Sequence, residues 1–173
     1  MGCSMGKKNL LAAFVLFAAA AASFAKSLSF QILQKNDSLT SVCESALAVE
    51  DEILNYFFEN GCIVSNVPAA VSKSDAQDLK FYNDAYNEAV NGTVDQFCLI
   101  KIYFTDDERE NGKISLGNMK KISWKVVSVK TGNILEDSSS EVKAGISQNE
   151  AANVRGFASE FAMHIQKVIN QKS

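Results

Sequence analysis

The stretch Val94-Asp95-Gln96-Phe97-Cys98-Leu99-Ile100-Lys101-Ile102-Tyr103-Phe104 decides the fold. It is the most hydrophobic run that follows the first 25 residues. Cys98, Ile100, Ile102 and Phe104 point one way, and Phe97, Leu99, Lys101 and Tyr103 point the other. A strand with one wet face alternates cleanly between apolar and polar, whereas one covered on both faces is apolar throughout. Residues 94–104 therefore predict a central strand.

On its N-terminal side two strand-helix pairs are legible. Ser27–Lys35 sets Leu28, Phe30 and Ile32 against Ser29, Gln31 and Leu33 and reads as a strand. Asn36-Asp37-Ser38 is expected to turn and start a helix over 38–60, with Leu39, Val42, Ala46, Val49, Ile53 and Phe57 on one stripe and Gly61 just past its end. Cys62–Val67 is a short strand expected to close at Pro68, which has no N–H to donate. Ser74-Asp75-Ala76-Gln77 fits a capping box, and a helix to about Val90 puts Leu79, Tyr82, Ala85, Tyr86 and Ala89 on one face. Asn91-Gly92 breaks it.

On the C-terminal side, Asp106–Lys113 is a charged loop and Lys121–Val129 a strand with Ile122, Trp124 and Val126 on one face. Lys130-Thr131-Gly132-Asn133 is a hairpin turn leading into a polar edge strand, Ile134–Lys143. Ser147-Gln148-Asn149-Glu150 reads as a second capping box before a helix carrying Val154, Ala158, Phe161, Ile165 and Val168. The fold class is α+β: a two-layer or three-layer sandwich with a mixed sheet of four or five strands and three helices, in the order β-α-β-α-β-β-(β)-α.

Residues 1–25 read as a signal peptide. Lys7 and Lys8 form a positive start, Leu10 to Ala22 is an unbroken apolar run, and Ser23-Phe24-Ala25 places small residues at a cleavage site. The run is shorter than the roughly 20 residues a spanning helix needs. Residues 26–173 then form one α/β envelope domain. A lipoprotein signal needs a cysteine immediately after the apolar run; Cys3 lies before it and Lys26 occupies the cleavage position, so the chain is not expected to be a lipoprotein. The expected destination is the periplasm or cell envelope of a bacterium.

The net charge is −3, and loss of Lys7 and Lys8 leaves −5. That argues against nucleic acid, whose affinity comes from neutralising phosphates with Lys and Arg. It argues equally against an electrostatic membrane-surface binder; membrane contact is expected only through a retained leader.

Side-chain chemistry is sparse. His164 is the lone histidine, on a helix face shared with Glu160, Lys167 and Gln171, which argues against a histidine triad or a multi-histidine metal site. Cys43, Cys62 and Cys98 sit among apolar residues at spacings that match no zinc or haem pattern; they read as core residues, or as one disulfide and a free thiol. Asp106, Asp107, Glu108 and Glu110 gather four carboxylates, but against a calcium loop Arg109 falls at a ligand position and Asn118 replaces the closing glutamate. No cofactor is expected, and no enzyme.

The candidate surfaces are for contact. They are the aromatic pair Tyr82 and Tyr86, the acidic loop with Asp106, Asp107, Glu108 and Glu110, and the polar edge run Asp137–Glu141 with Ser139 at its centre, which could accept a partner strand or simply be a protected, soluble edge. Tyr82 and Tyr86 are an i,i+4 pair that either packs on the sheet or faces a partner.

Three segments, Glu59–Ser65, Val94–Ile102 and Ile122–Leu135, resemble together the envelope α/β domains typified by the TolB N-terminal domain, the LpoB-type activators of penicillin-binding proteins and CsgG. The resemblance lies in an aspartate, Asp95, before a central strand and in the Val-Lys-Thr-Gly hairpin at Val129–Gly132. It implies a fold and, for function, a protein-binding module that assists an envelope assembly, with another envelope protein as partner. The alternative is a periplasmic binder of a small lipid or glycan.

Overall fold

The computed structural model describes residues 26–36, 38–105, 113–143 and 145–172. The elements are β1 (Ser27–Lys35), α1 (Glu44–Glu59), β2 (Ile63–Val71), α2 (Asp75–Asn91), β3 (Gln96–Phe104), a 3-10 turn (Leu116–Asn118), β4 (Met119–Ser128), β5 (Ile134–Glu141) and α3 (Glu150–Lys172). Among the described residues the sheet has five strands in the order β2-β1-β3-β4-β5, parallel through β2, β1 and β3 and antiparallel from there outward.

The topology forces three layers. The β1-α1-β2 crossover steps one way across the sheet, and β2-α2-β3 steps back past β1. Right-handed crossovers running in opposite directions must lie on opposite faces. Accordingly α1 and α3 pack together on one face, and among the described residues α2 packs alone on the other, against β1 and β3.

The larger core joins Phe30, Ile32, Ile100 and Ile102 to Val49, Ile53 and Phe57 of α1 and to Ala158, Phe161 and Ile165 of α3. The smaller one joins Leu33, Phe97 and Leu99 to Ala85 and Ala89 of α2. Cys98 and Phe97 thus divide between the two faces, as the alternation of β3 predicts.

Four local readings are corrected. Helix α1 starts at Glu44 rather than Ser38, because the fully buried Gln34 intervenes: its Oε1 accepts the Cys43 N–H at 2.7 Å and its Nε2 donates to the Ser41 carbonyl at 3.2 Å. Asn36 Oδ1 meanwhile takes the N–H groups of Ser38 and Leu39 in an Asx turn.

Strand β2 does not close at Pro68 but runs through it to Val71. It is an edge strand, where a missing donor is tolerated. The register moves from Gln31↔Val67 to Leu33↔Ala70, so β2 carries one extra residue, and Glu50 Oε1 collects the Ala69 N–H at 3.0 Å.

The cap of α3 is Asn149, whose Oδ1 accepts the Ala152 N–H at 3.2 Å, rather than Ser147. Glu150 Oε2 is engaged elsewhere, accepting from Ser115 Oγ and the Leu116 N–H at 3.0 Å each. Finally, Leu79 is not on the packed face of α2; it is 61% exposed.

The hairpin turn between β4 and β5 is as expected, with Gly132 at φ +72°, a conformation that glycine adopts without strain.

Candidate functional site

A single helix cannot cover one whole face of a five-stranded sheet. Helix α2 lies over β1 and β3, so that among the described residues no helix covers the β4–β5 half of this face, and a groove of about 540 Å³ runs beside the helix. Its floor is Leu99 and Lys101 of β3 with Ser123 and Lys125 of β4. Its walls are Asp75, Asp78, Leu79 and Tyr82 of α2 on one side and Ile134 and Asp137 of β5 on the other. Leu79 and Ile134 are 61% and 58% exposed, so each rim presents a large apolar side chain to solvent.

The upper end of the groove is held by an ion cluster. Asp78, on the first turn of α2, receives Lys35 Nζ at 2.8 Å and Lys101 Nζ at 2.6 Å, and Ser72 Oγ bonds the same carboxylate. Burial alone would raise the Asp78 pKa; the hydrogen bonds from Lys101, Lys35 and Ser72 outweigh it and hold the carboxyl below its ordinary range. The cluster ties the start of α2 to the ends of β1 and β3. A carboxylate so engaged stays ionised and makes a poor general base.

Lower down, Tyr82 and Tyr86 stack with ring centres 5.8 Å apart, and each meets Phe97 edge-on, at 5.7 and 6.0 Å. Both are half-buried. Lys125 Nζ lies 6.0 Å from the Tyr82 ring centre and 3.0 Å from Asp137 Oδ2. Burial raises the Tyr82 pKa, with Lys125 opposing.

The expected contact residues thus divide. Tyr82 lines the groove; Tyr86 packs behind it and donates from its hydroxyl towards the Val129 carbonyl at 3.5 Å. Ser139 lies exposed on β5. Asp106, Asp107, Glu108 and Glu110 fall outside the described residues. Leu79, Asp78, Lys101, Lys125 and Ile134 were not among the expected contacts, whereas Asp137 begins the polar edge run that was. Lys101, a cation inside the most apolar strand, was the one signal for them in the sequence.

The three cysteines among the described residues are free thiols; Cys43 and Cys98 are buried and Cys62 is half-exposed. His164 is exposed on α3, as its polar face predicts, but it bonds Glu136 of β5 at 3.0 Å and meets the Trp124 ring edge-on at 5.4 Å. Among the described residues, no group of three or more His, Cys, Asp or Glu side chains is placed to hold a metal ion. Among the same residues, no helix is long and apolar enough to cross a membrane.

A family model described as "Uncharacterised protein" matches residues 27–170. No curated protein matches the sequence. Among solved structures the chain is similar to the lipoprotein GNA1162 from Neisseria meningitidis, at 12% identity over 86% of this chain and 96% of that one, with a TM-score of 0.41. It is similar to protein XCC0632 from Xanthomonas campestris, of family-model DUF330, at 9% identity over 84% and 85% of the two chains, with a TM-score of 0.45. Against TolB from Acinetobacter baumannii the identity is 10% over 85% of this chain and 29% of that one, with a TM-score of 0.39. At these levels the likenesses assign no activity.

Proposed function

The chain belongs to this family of uncharacterised proteins, and from that premise we propose that it is an exported, non-catalytic envelope protein that works by binding another protein through the groove beside α2. The observation that carries this reading is the uncovered half of the sheet, rimmed by Leu79 and Ile134 and floored by Lys101 and Lys125. Exposed apolar side chains around a polar floor are the makings of a contact surface rather than of a reaction centre. Four charged groups of the groove are already paired, Asp78 with Lys101 and Asp137 with Lys125, so they offer register and selectivity more than reactivity. The signal-peptide reading of residues 1–25 and the sequence resemblance to envelope α/β domains support the address.

The test is site-specific photo-crosslinking in cells that export the full chain. A photoreactive residue at Leu79 or Ile134 is expected to capture one discrete protein, and one at Arg155, on the opposite helical layer, is not. Leu79→Lys should abolish capture from position 134. Equal capture from all three positions, or none from any, would overturn the reading. A small lipid or glycan recovered from the groove in place of a protein would overturn it too.

A further inference from the structure

We propose that β5 accepts a Lys- or Arg-bearing extended segment of another protein as a sixth strand of the sheet. The inference rests on the reading of the chain as a protein-binding module and deepens it by naming the chemistry of the partner.

The sheet has two edges, and they are built differently. The β2 edge is interrupted by Pro68, which has no N–H, and by the bulge that follows Val67, two devices that spoil strand addition. The β5 edge has no proline, and its one register shift falls at its start, where Val126 pairs with Glu136 and Val127 with Ile134. Among the described residues β5 is bonded to β4 alone, in register from Glu136 to Glu141, and Ser138, Ser139, Ser140 and Glu141 are exposed. Lys172 Nζ donates to the Leu135 carbonyl at 3.0 Å, so the open edge begins at Glu136.

Each face beside β5 also carries a groove. On the α2 side it is the one walled by Ile134 and Asp137. On the α3 side a second groove, of about 620 Å³, lies between the end of β5 and α3, with Ser140, Ile146 and Phe157 in its lining. Successive side chains of an added strand point to opposite faces, so they meet the two grooves alternately. Main-chain bonds to β5 would supply affinity, and the grooves would supply selectivity.

Charge settles the occupant. The strand Ile134–Glu141 holds Glu136, Asp137 and Glu141 and no cation. Asp137 is 57% exposed even while it pairs with Lys125. A second copy added through the same edge would set carboxylates against carboxylates, which is unfavourable for directly opposed strands, whereas Lys or Arg on the incoming strand is favoured.

The test uses the full exported chain, isotope-labelled, with three blocked octapeptides as probes: alternating Lys and Val, alternating Glu and Val, and the Lys–Val peptide N-methylated at every second residue. The Lys–Val peptide is expected to slow amide exchange at residues 136–141. The Glu–Val peptide should bind roughly tenfold more weakly, and the N-methylated peptide should lose binding because it cannot complete the ladder. Glu141→Lys, an exposed change, should weaken the Lys–Val peptide and strengthen the Glu–Val one. Equal binding of all three peptides, or exchange effects confined to α2, would overturn the proposal. Crosslinks from Leu79 to a partner that leaves β5 exchange unaltered would overturn it while keeping the proposed function.

Discussion

Ser27 and Asp95, 68 residues apart, clasp each other reciprocally where β1 and β3 begin. Asp95 Oδ2 accepts the Ser27 N–H at 2.9 Å and its hydroxyl at 2.8 Å, and Ser27 Oγ accepts the Asp95 N–H at 2.9 Å. This gives the aspartate before the central strand a structural role: it sets the register of two parallel strands that no hairpin joins. Asp95→Ala should cost about 1–2 kcal/mol in urea unfolding, because it removes charge-assisted bonds at a solvent-exposed site. Ser27→Ala in the same background should add little, since the two residues form one unit. Fully additive losses would sink this account.

Asp78→Asn should destabilise the chain by about 2–3 kcal/mol at neutral pH, near the low end for breaking a buried pair because Lys35 and Lys101 keep some solvent contact. The folded pKa of Asp78 is depressed, so its stabilisation is full above the ordinary carboxylate range and is lost as pH falls through the folded value. The gap between wild type and Asp78→Asn in denaturant melts should therefore shrink on acidification. A gap that stays constant between neutral and acid pH would contradict the cluster described above.

Thiol labelling of the native chain should modify Cys62 first. Cys98 is buried, and burial pushes its thiol pKa well up; Cys43 is shifted the same way, burial again being the main cause. The thiolate is the reactive form, so both should resist iodoacetamide at mildly alkaline pH until the chain unfolds. Mass spectrometry of the labelled peptides reads the outcome, and rapid native labelling of Cys98 would be incompatible with this core.

Trp124, the single tryptophan, meets Phe161 edge-on at 5.4 Å where β4 faces α3. Phe161→Ala should cost about 3–4 kcal/mol through the cavity it leaves and shift tryptophan emission to the red in the folded state. Unchanged emission would mean that Trp124 does not depend on this helix for its shielding.

The N-terminus of the exported protein, read by sequencing, should be Lys26. A chain that retains Leu10–Ala22 would instead be membrane-associated, and the export reading of residues 1–25 would fall.

Much of this architecture was legible from side-chain periodicity. The two apolar faces of β3 foretold burial on both sides, the Thr131-Gly132-Asn133 turn foretold the β4–β5 hairpin, and the polar composition of 134–141 foretold an edge. The misread boundaries share one cause: a distant side chain took a backbone group that the local motif would have kept. Gln34 claims the Cys43 N–H, Glu50 claims Ala69, and Glu150 turns one carboxylate oxygen to Ser115 and Leu116. The groove was less legible still. Leu79 has the spacing of a core residue on α2, but it overhangs the part of the sheet that one helix is too narrow to cover.

The sequence by itself determined the identity and order of the elements and which face of each strand and helix is apolar, because those follow from short-range periodicities of 2 and 3.6 residues. The tertiary structure alone decided that, among the described residues, α2 stands by itself on its face with the β4–β5 half beside it uncovered, and that Lys35, Lys101 and Asp78 converge at one end of the groove. Those depend on strand order and crossover handedness, which bring together residues far apart in the chain and which no local pattern encodes.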